Sequence, residues 1–98
     1  MTKSVVMKNS TKTDKKLMAI FTRDGRKKTI HFGAKNMDDY TITKDKAQRQ
    51  RYLDRHRARE NWNKYMSAGS LSRYILWNKP SFSGSYADYR KKFNLKKF

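Results

Sequence analysis

The sequence predicts an α+β fold: an N-terminal β-hairpin packed on a long arginine-rich helix and two short C-terminal helices, with an extended N-terminal arm. Three observations carry that expectation. Asp24-Gly25 separates two short runs of alternating apolar residues, LMAIFT and KKTIHF. The stretch KAQRQRYLDRHRARENW contains neither Gly nor Pro. Tyr86, Tyr89 and Phe93 then recur at i, i+3, i+7, the spacing of one helix face.

Residues 1–15, MTKSVVMKNSTKTDK, show no sustained period and read as an arm that orders on a partner. Residues 16–98 form the single small α+β domain. Its hairpin is placed by Asp24-Gly25, a dipeptide that tolerates the positive φ of a two-residue type I′ turn. That turn pairs Leu17 with Phe32, Ala19 with Ile30 and Phe21 with Lys28. One face then carries Leu17, Ala19, Phe21, Ile30 and Phe32, and Gly33 ends the second strand. A lone hairpin is marginal in water, so it must pack on helices.

The long helix is expected over Thr41–Lys64, with Asp45 as N-cap and Gln48 completing a variant capping box. Its apolar stripe is thin, comprising Ala47, Leu53, Ala58 and Trp62, and Gly69 is a natural residue just past its end. A short helix over Ser70–Asn78 follows, capped by Ser70 and halted before Pro80. Ser85-Tyr86-Ala87-Asp88 reads as a capping box that opens the last helix. The stretch from Arg73 to Phe93 is the richest in rings, and at helical spacing rings belong to a core more often than to a base-stacking platform. Trp62, Trp77, Tyr86, Tyr89 and Phe93 are therefore the expected aromatic core, standing in for the aliphatic residues that a chain only 36% hydrophobic lacks.

Charge limits the function. With 25 Lys and Arg against 8 acidic residues, the formal charge is +17. Such a balance points to a polyanion or an acidic surface as partner. Arg51, Arg55 and Arg59, at i, i+4, i+8, form a cationic ridge, with Arg49, Arg57 and Lys46 beside it. Lys27 and Lys28 on the hairpin, and Arg90 and Lys91 on the last helix, widen the contact surface toward phosphates or an acidic partner. No base-reading signature is present, so DNA or RNA would be held by phosphates alone.

Little in the sequence suggests catalysis. The histidines, His31 and His56, are far apart in sequence, and His56 with Glu60 reads as a surface pair. Asp38-Asp39 are adjacent on a loop, with no third carboxylate near them for a metal. No phosphate loop, nucleophile motif or Cys/His spacing occurs, and the cysteine count is zero. The expectation is a protein without cofactor, metal or small-molecule substrate. No apolar run approaches the length of a membrane span, and the start lacks the apolar core of a signal peptide.

The strings HFGAKNMDDYT (His31–Thr41), RYLDRHRARENW (Arg51–Trp62) and SAGSLSRYILWNKPSFSGS (Ser67–Ser85) resemble a group of small basic proteins from giant nucleocytoplasmic DNA viruses of algae and amoebae. The resemblance spans Lys16 to Phe93 and leaves the arm outside. It brings no activity and no catalytic residues. It implies a viral chain made in the host cytoplasm or virus factory and found in the virion. There it would be a structural protein, a minor capsid component cementing capsid proteins, or else a sequence-independent nucleic-acid binder on the packaged genome.

Overall fold

The computed structural model describes residues 3–97. Four strands form one sheet in the order β3-β2-β1-β4, and the helices follow the first three in the chain. The strands are β1 (Lys3–Asn9), β2 (Lys15–Arg23), β3 (Arg26–Ala34) and β4 (Lys96–Lys97). Helix α1 spans Tyr40–Thr43, α2 Lys46–Arg57, α3 Ala68–Leu71 and α4 Phe82–Lys92. Between α3 and α4 lies a π-helical turn, Ser72–Leu76. The class is α+β.

The β2–β3 hairpin has the register read from sequence: Leu17 faces Phe32, Ala19 faces Ile30, and Phe21 faces Lys28. Asp24 and Gly25 both have positive φ, 54° and 79°, as a type I′ turn requires. Strand β3 continues through Gly33 to Ala34 instead of stopping there. Gly33 is needed for two reasons. Its φ is +78°, and a Cβ at this position would lie 2.7 Å from Leu76 Cδ1.

The arm is the main correction. Met1 and Thr2 lie outside the described residues, but Lys3–Asn9 is a strand inside the sheet. It pairs antiparallel with β2, Val5 opposite Phe21, and parallel with β4, Ser4 opposite Lys96. Val5 is fully buried, and the Tyr86 hydroxyl donates to its carbonyl at 2.9 Å. The physical reason is that Val5 and Met7, two positions apart, fall on the core face of a strand that the β-branched Val5-Val6 pair favours. Three consecutive apolar residues were too short a run to show that period against the polar residues around them.

The long helix is broken in two and ends early. Lys44 adopts a left-handed φ of 54° after α1, and Asp45 then caps α2 by accepting from the Ala47 and Gln48 backbone N–H groups. The reciprocal half of the capping box is absent: Gln48 Oε1 accepts from the Thr43 hydroxyl instead. Helix α2 stops at Arg57, and in the segment after it the Asn61 side chain takes the Asn63 backbone N–H at 3.1 Å. Such local bonds compete with helix continuation. Its inward residues are Arg49, Tyr52, Leu53 and His56, whereas the expected Ala47 and Ala58 are exposed.

Both serine caps fall earlier than expected. Ser67, not Ser70, caps α3, and Ser81, not Ser85, caps α4. Ser70 and Ser85 are fully buried and tie loops down instead. Ser70 donates to Trp62 O, while Ser85 accepts from Lys79 N–H and donates to Lys79 O. Asp88 accepts from the Asn78 side-chain amide, so it completes no capping box. Gly69 lies inside α3, where a Cβ would come 3.0 Å from the Glu60 carboxylate.

The core lies between the sheet face bearing Val5, Ala19, Phe21 and Phe32 and the residues Leu53, Leu71, Ile75, Leu76, Trp77 and Tyr89. Leu17 and Ile30 pack against it half-buried. Of the five expected core rings, Trp77 and Tyr89 are buried, while Trp62, Tyr86 and Phe93 form its partly exposed margin.

Candidate polyanion interface

The hairpin turn fixes the first cationic region. Arg23 and Arg26 face each other across the last rung of β2–β3, and Lys27 and Lys28 follow on β3. With Phe21 and Met66 as a floor, these four cations line an open cleft of about 750 Å³. Asp24 is the acid in that cleft, 3.9 Å from Arg23 and half exposed. An exposed pair of this kind contributes little and is screened by salt.

Helix α2 carries the second region. Arg51 and Arg55 are exposed and one turn apart. Arg57 is exposed at the last position of the helix, where it and Arg55 complement the C-terminal dipole. Arg59 is exposed but lies beyond the helix, so the ridge of three shortens to two in helical geometry. Arg49 turns inward. Its Nε donates to Trp77 O at 3.0 Å and to Asn78 O at 2.9 Å, and its guanidinium lies 5.6 Å from the Tyr40 ring.

The two regions sit at opposite ends of the hairpin. Arg23 lines the tip cleft, whereas Lys16 and Arg55 line a smaller cleft at the base. Arg23 is seven positions along the strand from Lys16, a span of roughly 23 Å. On α4, Lys91 is exposed, while the Arg90 guanidinium lies 4.8 Å from the Tyr86 ring, its Nε buried without a partner. The expected cations therefore form separate patches, and Arg49 and Arg90 serve packing as well as charge.

The groups considered for catalysis or metal binding have structural partners. Asp39 is 2% exposed and accepts from Lys16 Nζ at 2.6 Å, from Thr41 N–H at 2.9 Å and from the Thr41 hydroxyl. It thereby caps α1, while its neighbour Asp38 is exposed. Among the described residues no three His, Asp or Glu side chains cluster as a metal would need. Glu60 meets His56 at 3.2 Å and takes the Trp62 indole N–H at 2.8 Å. His31 is bonded to the Ser10 hydroxyl at 2.7 Å.

The rings stack on one another. Tyr52 lies 4.3 Å from Trp77 at 6° between planes, with His56 on its other side at 4.2 Å. Burial, and then the Glu60 carboxylate, push the Tyr52 phenol up to about 12. Burial raises Tyr89 further still, and its hydroxyl donates to the Tyr65 carbonyl.

Over residues 5–56 the chain matches a family of unknown function, DUF5754. It belongs to that family. The DUF5754 match covers just over half of the chain, from Val5 in β1 to His56 near the end of α2. It therefore includes the hairpin cations and Arg49, Arg51 and Arg55, and it leaves out the ring-rich C-terminal part. No curated protein and no solved structure matches this DUF5754 chain.

One residue escaped the sequence reading. Arg73 is half-buried on the π-helical turn, with the Trp62 and Tyr74 rings 5.3 and 4.9 Å from its guanidinium. The signal available was an arginine next to a tyrosine in SRYILW, and that pattern alone does not reveal a ring eleven positions earlier.

Proposed function

We propose that this protein holds nucleic acid through its phosphates, without reading bases and without carrying out a reaction on them. The observation that carries the reading is the excess of basic charge. With 25 basic and 8 acidic residues, one-to-one pairing would still leave seventeen cations unneutralised. Two acids, Asp39 and Glu60, are already committed to interior partners. Arg51 and Arg55 on α2, and Arg26 and Lys28 at the hairpin tip, offer exposed charge to a polyanion. Each neutralised phosphate releases counterions, so affinity should depend steeply on salt.

Duplex DNA titrated at several salt concentrations tests this. Log affinity should fall linearly with log salt, by about 0.9 per phosphate contacted. Arg51→Gln together with Arg55→Gln should flatten the slope by about two units, equally for unrelated sequences. Absence of binding at low salt, or loss confined to one sequence, would defeat the proposal.

A second reading is a minor capsid component of a virion. The arm, as β1, is committed to the sheet, so a different surface supports this reading. Val6, Met18 and Ile20 are half-buried and do not pack against the core. By strand alternation they share the opposite sheet face, with Val6 paired to Ile20 and Lys8 to Met18. An apolar strip rimmed by lysines suits an acidic protein surface. Recovery with particle shells emptied of DNA would favour this reading, and departure with the genome would favour the first.

A further inference from the structure

Arg73 is a cation without a counter-ion. Its Nη1 reaches Trp77 O at 3.4 Å, a long contact, and its Nε is buried with no partner. Among the described residues no carboxylate lies within ion-pair distance of it. Burial first, and then the neighbouring Arg49 and, more weakly, Arg57, lower its pKa, while Tyr74 and Tyr52 oppose them in part. A guanidinium cannot relieve this by shedding its proton near neutral pH, so it stays charged in a poorly solvated place.

Its surroundings are built. The Trp62 and Tyr74 rings flank the guanidinium and hold it in place. Arg49 Nε converges on the same Trp77 carbonyl that Arg73 approaches, which brings two guanidiniums together at one oxygen. Capping the end of the π-helical turn explains Arg49, whose single Nε–H is shared between two carbonyls there. It leaves Arg73 with one long bond for five donors. Arg57 is exposed at the end of α2, and its charge bears on Arg73.

We propose that Arg73, with Arg49 and Arg57, forms a seat for a single phosphate group. A planar fork fixed beside rings matches the bidentate geometry of phosphate oxygens. This inference rests on the nucleic-acid reading for the source of the phosphate, a backbone phosphodiester, but the seat itself would also take free phosphate.

The test uses the full chain, labelled with ¹⁵N, and two probes: inorganic phosphate and a short DNA duplex. The Arg73 Nε–H and Trp62 indole N–H signals should shift on adding phosphate and should not shift with equal chloride. Arg73→Lys keeps the charge but loses the fork, and should weaken phosphate binding tenfold or more while the rest of the spectrum is preserved. Arg73→Gln should lower the salt slope for duplex binding by about one unit. Arg51→Gln with Arg55→Gln should leave the phosphate-induced shifts in place. Unshifted Arg73 and Trp62 signals, or an Arg73→Lys protein that binds phosphate as tightly as the parent, overturn the seat. If the duplex still binds with its usual slope in that event, the nucleic-acid reading stands without it. If phosphate binds at Arg73 but duplex does not bind at low salt, the seat stands and the nucleic-acid reading fails.

Discussion

In the hairpin, contacts are set by near neighbours in the chain; in the helical half they are set by residues far away. Asp24-Gly25 imposes a turn, the turn imposes a register, and alternation then sorts side chains to two faces. The helical half uses equally familiar local signals, a serine followed by helix formers, but offers more than one serine for each start. Ser67 and Ser70 compete for α3, and Ser81 and Ser85 for α4. Burial decides. The later serine in each pair lies in the interior, where its hydroxyl holds a loop carbonyl, and the earlier one is left to cap. A signal whose outcome is fixed by covalent geometry survives folding unchanged. A signal that can be satisfied in two ways waits for the tertiary structure.

The largest test of that contrast is removal of residues 1–15. A free arm could be deleted without harm. With β1 inside the sheet, deletion exposes the β2 edge, removes fully buried Val5 and takes away the acceptor of the Tyr86 hydroxyl. The truncated chain should lose its cooperative thermal transition, as followed by circular dichroism. A truncated protein that melts as sharply as the full chain would contradict the central place of β1.

The next test concerns the buried rings of the helical half. The Tyr52 phenol ionises at about 12 in the folded chain and near 10 when unfolded. Between those values the unfolded state binds fewer protons, so stability is complete below pH 10 and declines as pH rises toward 12. The loss attributable to Tyr52 is about 2–3 kcal/mol. Denaturant unfolding from pH 8 to 11.5 should show it, and Tyr52→Phe should remove that part of the slope. A pH-independent midpoint would mean the ring is solvated.

The smallest effects separate local from tertiary signals directly. Gly25→Val should cost about 1 kcal/mol or more through positive φ alone, because a Cβ there would meet nothing within 4 Å. Ser81→Ala should cost about 1 kcal/mol as a lost cap. Ser85→Ala should cost at least as much, since it leaves the Lys79 N–H without its acceptor. Equal tolerance of both serine changes would break the distinction.

Much of the sheet was therefore legible in the sequence, and the candidate site was legible only in part. Arg51, Arg55, Lys27 and Lys28 were visible because exposed charge at regular spacing needs no partner to be recognised. Arg49 was indistinguishable from them, since nothing local shows that its Nε reaches carbonyls 28 and 29 positions away. Arg73 was hidden for the same reason, its stacking partner Trp62 being brought to it by the turn after α2. The strand β1 was missed because its apolar triplet, Val5 to Met7, is short and flanked by polar residues.

The parallel pairing of Ser4 with Lys96 and Val5 with Lys97 has a consequence in time. During synthesis β1 emerges first of the described elements and β4 last. The hairpin and β1 can assemble early, from neighbouring sequence. The outer edge of β1 then stands unpaired, with open backbone donors and acceptors beside Val5 and Val6, until the ribosome has delivered almost everything else. Closing it ties together a loop of nearly all the described residues, at an entropic cost of about 4 kcal/mol beyond a constant term. An open edge is the usual template for mispairing between nascent chains. The charge of this protein thus has a second use: Lys3 and Lys8 of that strand repel the same edge of another copy while each waits for Lys96 and Lys97.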